Sequence, residues 1–426
     1  MSPITITLII TLVMAVLLVY GKFPFGLVTM ASALALIVTG VLSIQDAMAG
    51  FSNNVVLMVG AMFCLSAALQ KTNVPYALKG LLGKLDGKND TLLVFAIVAV
   101  NMIMEIFLPG MVCTILIVSF LQVLPKDSEV TPSRIILPLL MIGVCWEMAV
   151  PIGLGATLDY TSNLYVEGIV TNQTQLLQIG NIFMVRIFPT VLTVLYVLFI
   201  WKRMPKKEIN MDAAQVREIQ KSALPRWKEY LVYAMFAFVF LVLIFNSHFG
   251  MLMYIIPAVC VVILGFTGIM NRQEIINSVA SDTVWMLVGI LGVTAALTST
   301  GAANVVGTAL VPLISWTENT FLILLIVGLF TAAMTTFLSN MGTVAVLTPL
   351  VASAAVAAGM DPRSLIIMVA ICSTYAFCFP SGSTACAFIY SLGQYNPFKM
   401  LKYNLPLLLI LVVATAISAN FFFPAF

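Results

Sequence analysis

Two carboxylates stand inside apolar runs of this sequence. Glu105 lies four residues before the pair Pro109-Gly110, and Glu147 lies four residues before Pro151. An ionised carboxylate at the centre of a membrane helix costs about 2.5–3.5 kcal/mol even on a lenient insertion scale, so it is expected to have a partner or a function. We therefore predict that Glu105, alone or with Glu147, forms a proton or cation site. The alternative is that one or both carboxylates are solvated beside a water-filled vestibule.

The apolar runs are also interrupted by residues that stop a helix. Pro109-Gly110-Met111 and Ser339-Asn340-Met341 predict the tips of two hairpins, while 151–157 and 380–384 predict two spans that are broken in the middle. Broken helices in a membrane offer free N–H and C=O groups to a ligand and a coupling ion. The second tip, which continues into Gly342-Thr343, offers amides and hydroxyls that suit an anionic group. The alternative is that Ser339 and Asn340 only cap a helix.

Helices in a bilayer must carry these breaks. Of the 426 residues, 61% are hydrophobic and 9% are charged, whereas soluble domains carry about 25% charged residues. Apolar runs close to the roughly 20 residues of a spanning helix recur along the chain, beginning with 4–20, 25–44 and 55–69. Since lipid leaves the backbone few ways to pair its polar groups, we predict an all-α polytopic protein of the inner (plasma) membrane. Neither an enzyme nor a nucleic-acid-binding protein is expected, because the sequence contains no recognisable ATP-binding loop, nucleophile set or metal-ligand cluster.

The sequence repeats itself at long range. Thr39-Gly40 recurs as Thr267-Gly268, Phe107-Leu-Pro-Gly-Met111 as Phe337-Leu-Ser-Asn-Met341, and Pro151-Ile-Gly153 as Pro380-Ser-Gly382, at a spacing of about 228 to 230 residues. We predict two homologous halves, 1–201 and 230–426, joined by a charged cytoplasmic linker at 202–229. Each half is predicted to contain five transmembrane helices and one re-entrant hairpin, at about 92–123 and 321–355.

Five crossings per half would give the halves opposite orientations in the membrane. With this count, all but two of the 20 Lys and Arg residues fall on one face, the exceptions being Arg186 and Arg363. The positive-inside rule makes that face cytoplasmic, which predicts that both termini are outside. Arg186 is expected either to snorkel toward the outer surface or to pair with Asp159. Asp159 itself lies near a span end and is expected to face water.

Several segments of the second half resemble a known family. They are Phe337-Leu-Ser-Asn-Met-Gly-Thr-Val-Ala-Val-Leu-Thr-Pro-Leu350, Gly359-Met-Asp-Pro362, Phe379-Pro-Ser-Gly382 and Tyr395-Asn-Pro-Phe-Lys-Met-Leu401. The chain is similar over most of its length to the divalent anion:sodium symporter family of the ion transporter superfamily. The resemblance implies sodium-driven transport of dicarboxylates, tricarboxylates or sulfate, an elevator motion of the domain that carries the hairpins, and a homodimer.

The resemblance also implies roles for individual residues. In the second half, Thr335, Ser339 and Asn340 would bind sodium with backbone oxygens near Gly382. The first half departs from the family pattern, because Pro109-Gly110 replaces Ser-Asn at the tip and Glu105 stands where the second half has Thr335. The predicted substrate-binding residues are Ser339, Asn340, Thr343, Ser383, Thr384, Pro109, Gly110 and Thr157. The predicted cation-binding residues are Thr335, Ser339, Asn340, Gly382, Glu105, Glu147 and Gly153.

Together these patterns predict a secondary active transporter. A cation, either sodium or a proton or both, would drive symport of a small anion such as a di- or tricarboxylate or sulfate, and sodium is the only metal or cofactor expected. A cation/proton antiporter of the same superfamily is one alternative, favoured by the glutamates within the membrane. A scaffold or sensor that binds ligand without uptake is another, favoured by the changed first tip. The residues leave open the anion, the stoichiometry and whether the first hairpin binds an ion.

Overall fold

The structure is a computed structural model that describes residues 1–20, 23–74, 76, 90–107, 113–114, 117–118, 121, 129–151, 155, 157–207, 221–314, 316–337 and 340–426. Within these ranges the regular structure is helical, with no strand, which confirms the predicted all-α class. The longer helices are α1 (Pro3–Tyr20), α2 (Phe25–Val38), α3 (Asn54–Gln70), α4 (Asp90–Phe107), α5 (Pro132–Trp146), α6 (Leu158–Leu164), α7 (Asn181–Ile200), α8 (Arg226–Ile244), α9 (Leu252–Phe266), α10 (Arg272–Val279), α11 (Asp282–Ser299), α12 (Ala302–Ile314), α13 (Thr320–Phe337), α14 (Asn340–Ala357), α15 (Arg363–Cys372), α16 (Thr384–Leu392) and α17 (Pro397–Phe422). Single turns form at Ile44–Ala47 and Asn246–Phe249, and 3-10 turns at Ala49–Ser52, Gln173–Gln175, Trp201–Arg203 and Pro380–Gly382.

The helices have the length and surface expected in a bilayer. Among the described residues, four helical segments are long and apolar enough to cross a membrane, and further apolar helices are 10–17 residues long. The four segments are Asn181–Arg203, Arg272–Ser299, Asn340–Ala357 and Pro397–Phe422. Large apolar side chains also point outward, among them Val38 (86% exposed) and Phe266 (90% exposed). Water would penalise such a surface, whereas lipid tails are as apolar as these side chains and cover it without cost.

Helices from the two ends of the chain pack against each other. α2 packs along α11, and α9 packs along α3. At the start of this contact the Asp282 carboxylate accepts hydrogen bonds from Phe25 N at 3.0 Å and Gly26 N at 2.9 Å, so it caps the N-terminus of α2. Further along, Gly289 of α11 lies so close to the backbone of Thr29 that a Cβ atom would overlap it. These contacts join residues about 256 positions apart into one bundle.

Helices stop where the sequence predicts breaks. α13 ends at Phe337 and α14 begins at Asn340, while the tip positions between them lie outside the described residues. α15 ends at Cys372, and the chain is irregular from there to α16 except for the turn Pro380–Gly382. α5 ends at Trp146, and two residues later Met148 adopts a left-handed φ of 56°. A non-glycine residue in that region costs on the order of 1–3 kcal/mol, so packing must hold this break in place.

Candidate substrate and cation site

Three oxygens converge where α13, α14 and the irregular segment after α15 meet. The Thr335 hydroxyl, which is fully buried, lies 2.9 Å from Asn340 Oδ1 and 2.5 Å from the backbone oxygen of Ser373. Asn340 is the first residue of α14, and Ser373 follows the last residue of α15. The polar cluster therefore joins two helix ends inside an apolar bundle. A hydroxyl, an amide oxygen and a main-chain carbonyl are oxygen ligands of the kind that broken helices present to sodium.

Side chains of α16 and α17 hold the irregular segment in position. The Tyr390 hydroxyl lies 3.0 Å from Phe377 O and 2.8 Å from Cys378 O. Asn404 donates from Nδ2 to the Tyr390 hydroxyl at 2.6 Å and contacts Phe377 O at 3.2 Å. At Gly382 the backbone runs so close to Ala376 that a Cβ atom would overlap its carbonyl. Buried side chains thus satisfy carbonyls that no helix satisfies, as the backbone of a membrane protein requires.

The other residues predicted in the second half have different surroundings. Thr343 is fully buried, and its hydroxyl has no hydrogen-bond partner among the described residues. The Ser383 hydroxyl accepts from Cys386 N at 3.1 Å and thereby caps α16. Thr384 begins α16, but its side chain is not among the described groups, and Ser339 lies wholly outside the described residues. Of the predicted second-half set, the structure brings Thr335 and Asn340 together.

In the first half a buried carboxylate occupies the end of α4. Glu105 is 5% exposed, and its Oε1 accepts a hydrogen bond from Asn101 Nδ2 at 2.8 Å. The other two acceptors of this pair, Glu105 Oε2 and Asn101 Oδ1, are buried without a hydrogen-bond partner among the described residues. Across from them, α5 contributes Gly143, where a Cβ atom would stand 2.9 Å from Glu105 Oε1. Glycine therefore makes room for the carboxylate.

The other residues predicted in the first half have different surroundings from Glu105. Glu147 follows α5 and is exposed, yet it is near enough to interact electrostatically with Glu105. Thr157 is buried at the start of α6. Pro109, Gly110 and Gly153 lie outside the described residues. Glu105 is thus the predicted first-half residue that the structure buries with an unpaired polar atom.

Two expectations about charges near α7 are wrong. Asp159 is 2% exposed, and its carboxylate accepts hydrogen bonds from Gly180 N at 2.8 Å and Ile182 N at 2.9 Å. It caps α7 instead of facing water, since helix N-terminal amides need acceptors. Arg186 does not reach the surface, and it forms no ion pair within 4.0 Å with Asp159, although the two interact electrostatically. It is 2% exposed and donates from Nη1 to Glu147 O at 3.0 Å and from Nη2 to Thr374 Oγ1 at 3.3 Å.

Sequence reasoning missed several residues of these clusters. Ser373 contributes a main-chain oxygen, which no side-chain pattern marks. Asn101 could have been found, because an amide four residues before a buried glutamate faces it on the same side of a helix. Arg186 carried a signal as well, since an ionisable residue within an apolar helix is a candidate for function by default.

A helical bundle with apolar outer surfaces and polar clusters at broken helices defines a multi-pass membrane protein. The family model described as citrate transporter, CitMHS, matches residues 15–372 and again 252–425. The chain belongs to this transporter family, which lies in the ion transporter superfamily. The resemblance drawn from the second-half segments is thereby confirmed.

Curated relatives match only part of the chain. An uncharacterized transporter of Haemophilus influenzae is 26% identical over 168 residues, which is 39% of this chain and 36% of that protein. Solute carrier family 13 member 1 of Mus musculus is 25% identical over 165 residues, or 37% of this chain and 27% of that protein. The chain therefore spans about a quarter to a third of the length of these relatives.

Two solved structures share the fold at low sequence identity. The YdaH transporter of Alcanivorax borkumensis superposes with a TM-score of 0.61 at 14% identity, covering 89% of this chain and 88% of that one. MtrF of Neisseria gonorrhoeae, described as illuminating a class of antimetabolite efflux pumps, gives a TM-score of 0.58 at 12% identity, covering 98% of this chain and 94% of that one. At such identities the likeness concerns the fold alone.

Proposed function

We propose that this transporter couples the inward movement of sodium, protons or both to symport of a small anion such as a di- or tricarboxylate or sulfate. The observation that carries the proposal is the convergence of Thr335, Asn340 and the Ser373 carbonyl at two helix ends within the bundle. These oxygens fit a hard monovalent cation. The unpaired hydroxyl of Thr343, one turn further along α14, offers a donor to an anion beside it.

Glu105 supplies a second point of coupling in this proposal. Its Oε2 and Asn101 Oδ1 are both acceptors, so neither can satisfy the other while the carboxylate is ionised. A proton on Oε2 turns that oxygen into a donor, and a cation would be attracted to the same oxygens. Either event removes a buried negative charge, and one positive charge moving inward gains about 2.3 kcal/mol per 100 mV of membrane potential.

The helix order supports the proposed division into inverted repeats at 1–201 and 230–426. α2, α3, α4 and α5 begin at residues 25, 54, 90 and 132, while α9, α11, α13 and α15 begin at 252, 282, 320 and 363. The matching helices thus start about 227 to 231 residues apart, and the second match of the family model within 252–425 agrees with this spacing. Opposite orientation, termini outside the cell membrane, a homodimer and an elevator motion of the hairpin-bearing helices complete the proposal.

A cation/proton antiporter is the second candidate, and the unpaired Glu105 oxygen favours it. Such a protein would exchange sodium for protons without carrying an organic anion. The two candidates differ in whether an anion moves.

Uptake into proteoliposomes decides between them. Labelled citrate, succinate and sulfate are offered with an inward sodium gradient, with an inward proton gradient and with neither. We expect one anion to accumulate above its equilibrium level only when a sodium or proton gradient is present. The gradient that drives accumulation identifies the coupling ion. If none accumulates and sodium addition instead releases protons, the antiporter is correct and the symport proposal is wrong.

A further inference from the structure

A buried arginine lies where two helix ends meet. Arg186 projects from α7 toward the C-terminal ends of α5 and α15. The two ends are in contact, because the Thr374 hydroxyl, two residues beyond α15, lies 2.7 Å from Val144 O in the last turn of α5. The Arg186 guanidinium holds both sides of this junction through Glu147 O and Thr374 Oγ1.

The charge of Arg186 is only partly compensated, because the Glu147 and Asp159 carboxylates interact with it electrostatically at longer range than an ion pair. No carboxylate of the described residues lies within 4.0 Å of it, since the ion pairs of the described chain involve Lys71, Arg134, Lys206 and Arg363. Asp159, its neighbour on α6, is already bonded to the backbone of α7. An isolated ion costs several kcal/mol to bury. The partial negative charge at helix C-termini offsets part of that cost but does not provide a bidentate acceptor.

One edge of the Arg186 guanidinium is available for a further hydrogen-bonding partner. Nη1 is bonded to Glu147 O and Nη2 contacts Thr374 at 3.3 Å, whereas the buried Nε has no hydrogen-bond partner among the described residues. Nε and the second hydrogen of Nη2 form a planar fork that matches the two oxygens of a carboxylate. The fork is fixed in direction, because the other nitrogen contacts hold the plane of the group.

One side of the junction reaches the surface, although the guanidinium itself is buried. Glu147 is exposed and Thr374 is half-buried, and an exposed carboxylate among apolar helices must face water and not lipid. The backbone beside it is strained at Met148, with a φ of 56°, and strained residues persist where the surrounding structure imposes them for a function. An anion that enters the junction from this side would be repelled by two helix C-termini and by the Glu147 carboxylate, and it would be attracted by the Arg186 guanidinium.

We propose that Arg186 binds a carboxylate of the transported anion through its Nε–Nη2 edge at the junction of α5 and α15. This inference rests on the proposed anion transport and adds a residue outside the predicted site. It also separates two tasks: the Thr335–Asn340–Ser373 cluster takes the cation, and Arg186 takes the charge of the anion.

The experiment compares wild type with Arg186→Gln, Arg186→Lys and Arg203→Gln. Arg203 is the matched control because it lies exposed in the turn that follows α7, stacked 4.2 Å from the ring centre of Phe199. Each protein is purified in detergent, its melting temperature is measured without anion, and its affinity for citrate, succinate and sulfate is measured by scintillation proximity. Proteoliposome uptake gives KM and the maximal rate separately.

We expect Arg186→Gln to weaken binding of the wild-type anion by roughly thirtyfold or more, since losing one partner of a buried charge pair costs about 2–5 kcal/mol. Arg186→Lys keeps the charge without the fork, so we expect a smaller loss. The melting temperature of Arg186→Gln without anion should stay close to that of wild type, because removal of a poorly compensated buried charge offsets the loss of its contacts with Glu147 O and Thr374 Oγ1. Arg203→Gln should behave as wild type.

A wild-type affinity in Arg186→Gln overturns the inference. So does a loss of affinity that comes with a lower melting temperature and is equally large in Arg186→Lys, because that pattern describes an arginine that only holds the helices together. If Arg186→Gln does not fold, the lysine variant decides by the same criteria. If the wild-type protein binds none of the three anions, the proposed function itself is wrong. If the wild-type protein binds one of them and Arg186→Gln binds it equally well, only this inference is wrong.

Discussion

Replacing Glu105 with glutamine should make the protein more stable and should uncouple anion transport from the cation gradient. Glu105→Gln exchanges Oε2, an acceptor without a partner, for an amide nitrogen that can donate to Asn101 Oδ1, the second acceptor without a partner. The existing hydrogen bond from Asn101 Nδ2 to Oε1, at 2.8 Å, is retained. One substitution of nearly equal volume therefore removes an unpartnered acceptor and a buried charge, and it supplies a donor next to Asn101.

The size of the effect follows from those two atoms. An unsatisfied buried polar group costs about 1–3 kcal/mol, so the substitution should raise the free energy of unfolding by at least that amount. The entropy of unfolding is about 2.1 cal/mol/K per residue, which for a chain of 426 residues converts 1–3 kcal/mol into a rise of roughly 1–3 °C in melting temperature. Glutamine cannot take up or release a proton, so accumulation of the anion against its gradient should be lost while binding is kept.

The assay pairs thermal unfolding in detergent with gradient-driven uptake. Glu318→Gln is the control, because Glu318 is exposed in the loop before α13 and loses the same charge. It should change neither the melting temperature nor uptake. If Glu105→Gln melts below wild type, the assignment of unsatisfied acceptors is wrong. If its uptake keeps the wild-type dependence on sodium and on pH, Glu105 is not a coupling site.

Three further changes test other contacts. Thr335→Val should raise the sodium concentration for half-maximal uptake by roughly ten- to a hundredfold, whereas Thr335→Ser should stay close to wild type; equal effects of both would contradict a role for the hydroxyl. Gly382→Ala should abolish uptake and lower the melting temperature, because its Cβ overlaps the Ala376 carbonyl; tolerated alanine would show that the segment adapts. Asp282→Ala should cost about 1–2 kcal/mol of stability, read as a lower melting temperature at unchanged KM, and an altered KM would mean that the α2 cap also shapes the site.

Sequence periodicity and breaks were enough to locate most of the helices. The predicted runs 4–20 and 55–69 match α1 and α3 to within one residue at each end, whereas α2 ends at Val38, six residues before the end of the predicted run 25–44. The interruption near Asn340 separates α13 from α14. Such features are local, because proline, glycine and polar residues end a helix wherever the helix lies in the fold. The grouping of Thr335 with Asn340 was expected from the family resemblance, and in the structure the two side chains meet across the helix break.

The charged residues of α6 and α7 show why the rest could not be predicted. Position along the chain suggested that Asp159 and Arg186 lie near the outer water, but both are 2% exposed. Asp159 is buried because it caps α7, and Arg186 is buried because the ends of α5 and α15 meet around it, and both are long-range packing features. Ser373 was missed for a different reason. A backbone carbonyl is available as a ligand only where the helix ends and no N–H of that helix donates to it.

The end of α5 connects the two buried charges. Glu105 lies against Gly143 on one side of this helix end, and Arg186 binds the carbonyl of Glu147, four residues further along. With an anion on Arg186 and a proton or cation at Glu105, each buried charge has a partner of opposite sign. With only one ligand bound, one charge stays uncompensated, and a charge at the centre of the membrane costs about 2.5–3.5 kcal/mol. A half-loaded carrier would then cross roughly a hundred times less often, so the same two residues that bind the ligands would also enforce their joint transport.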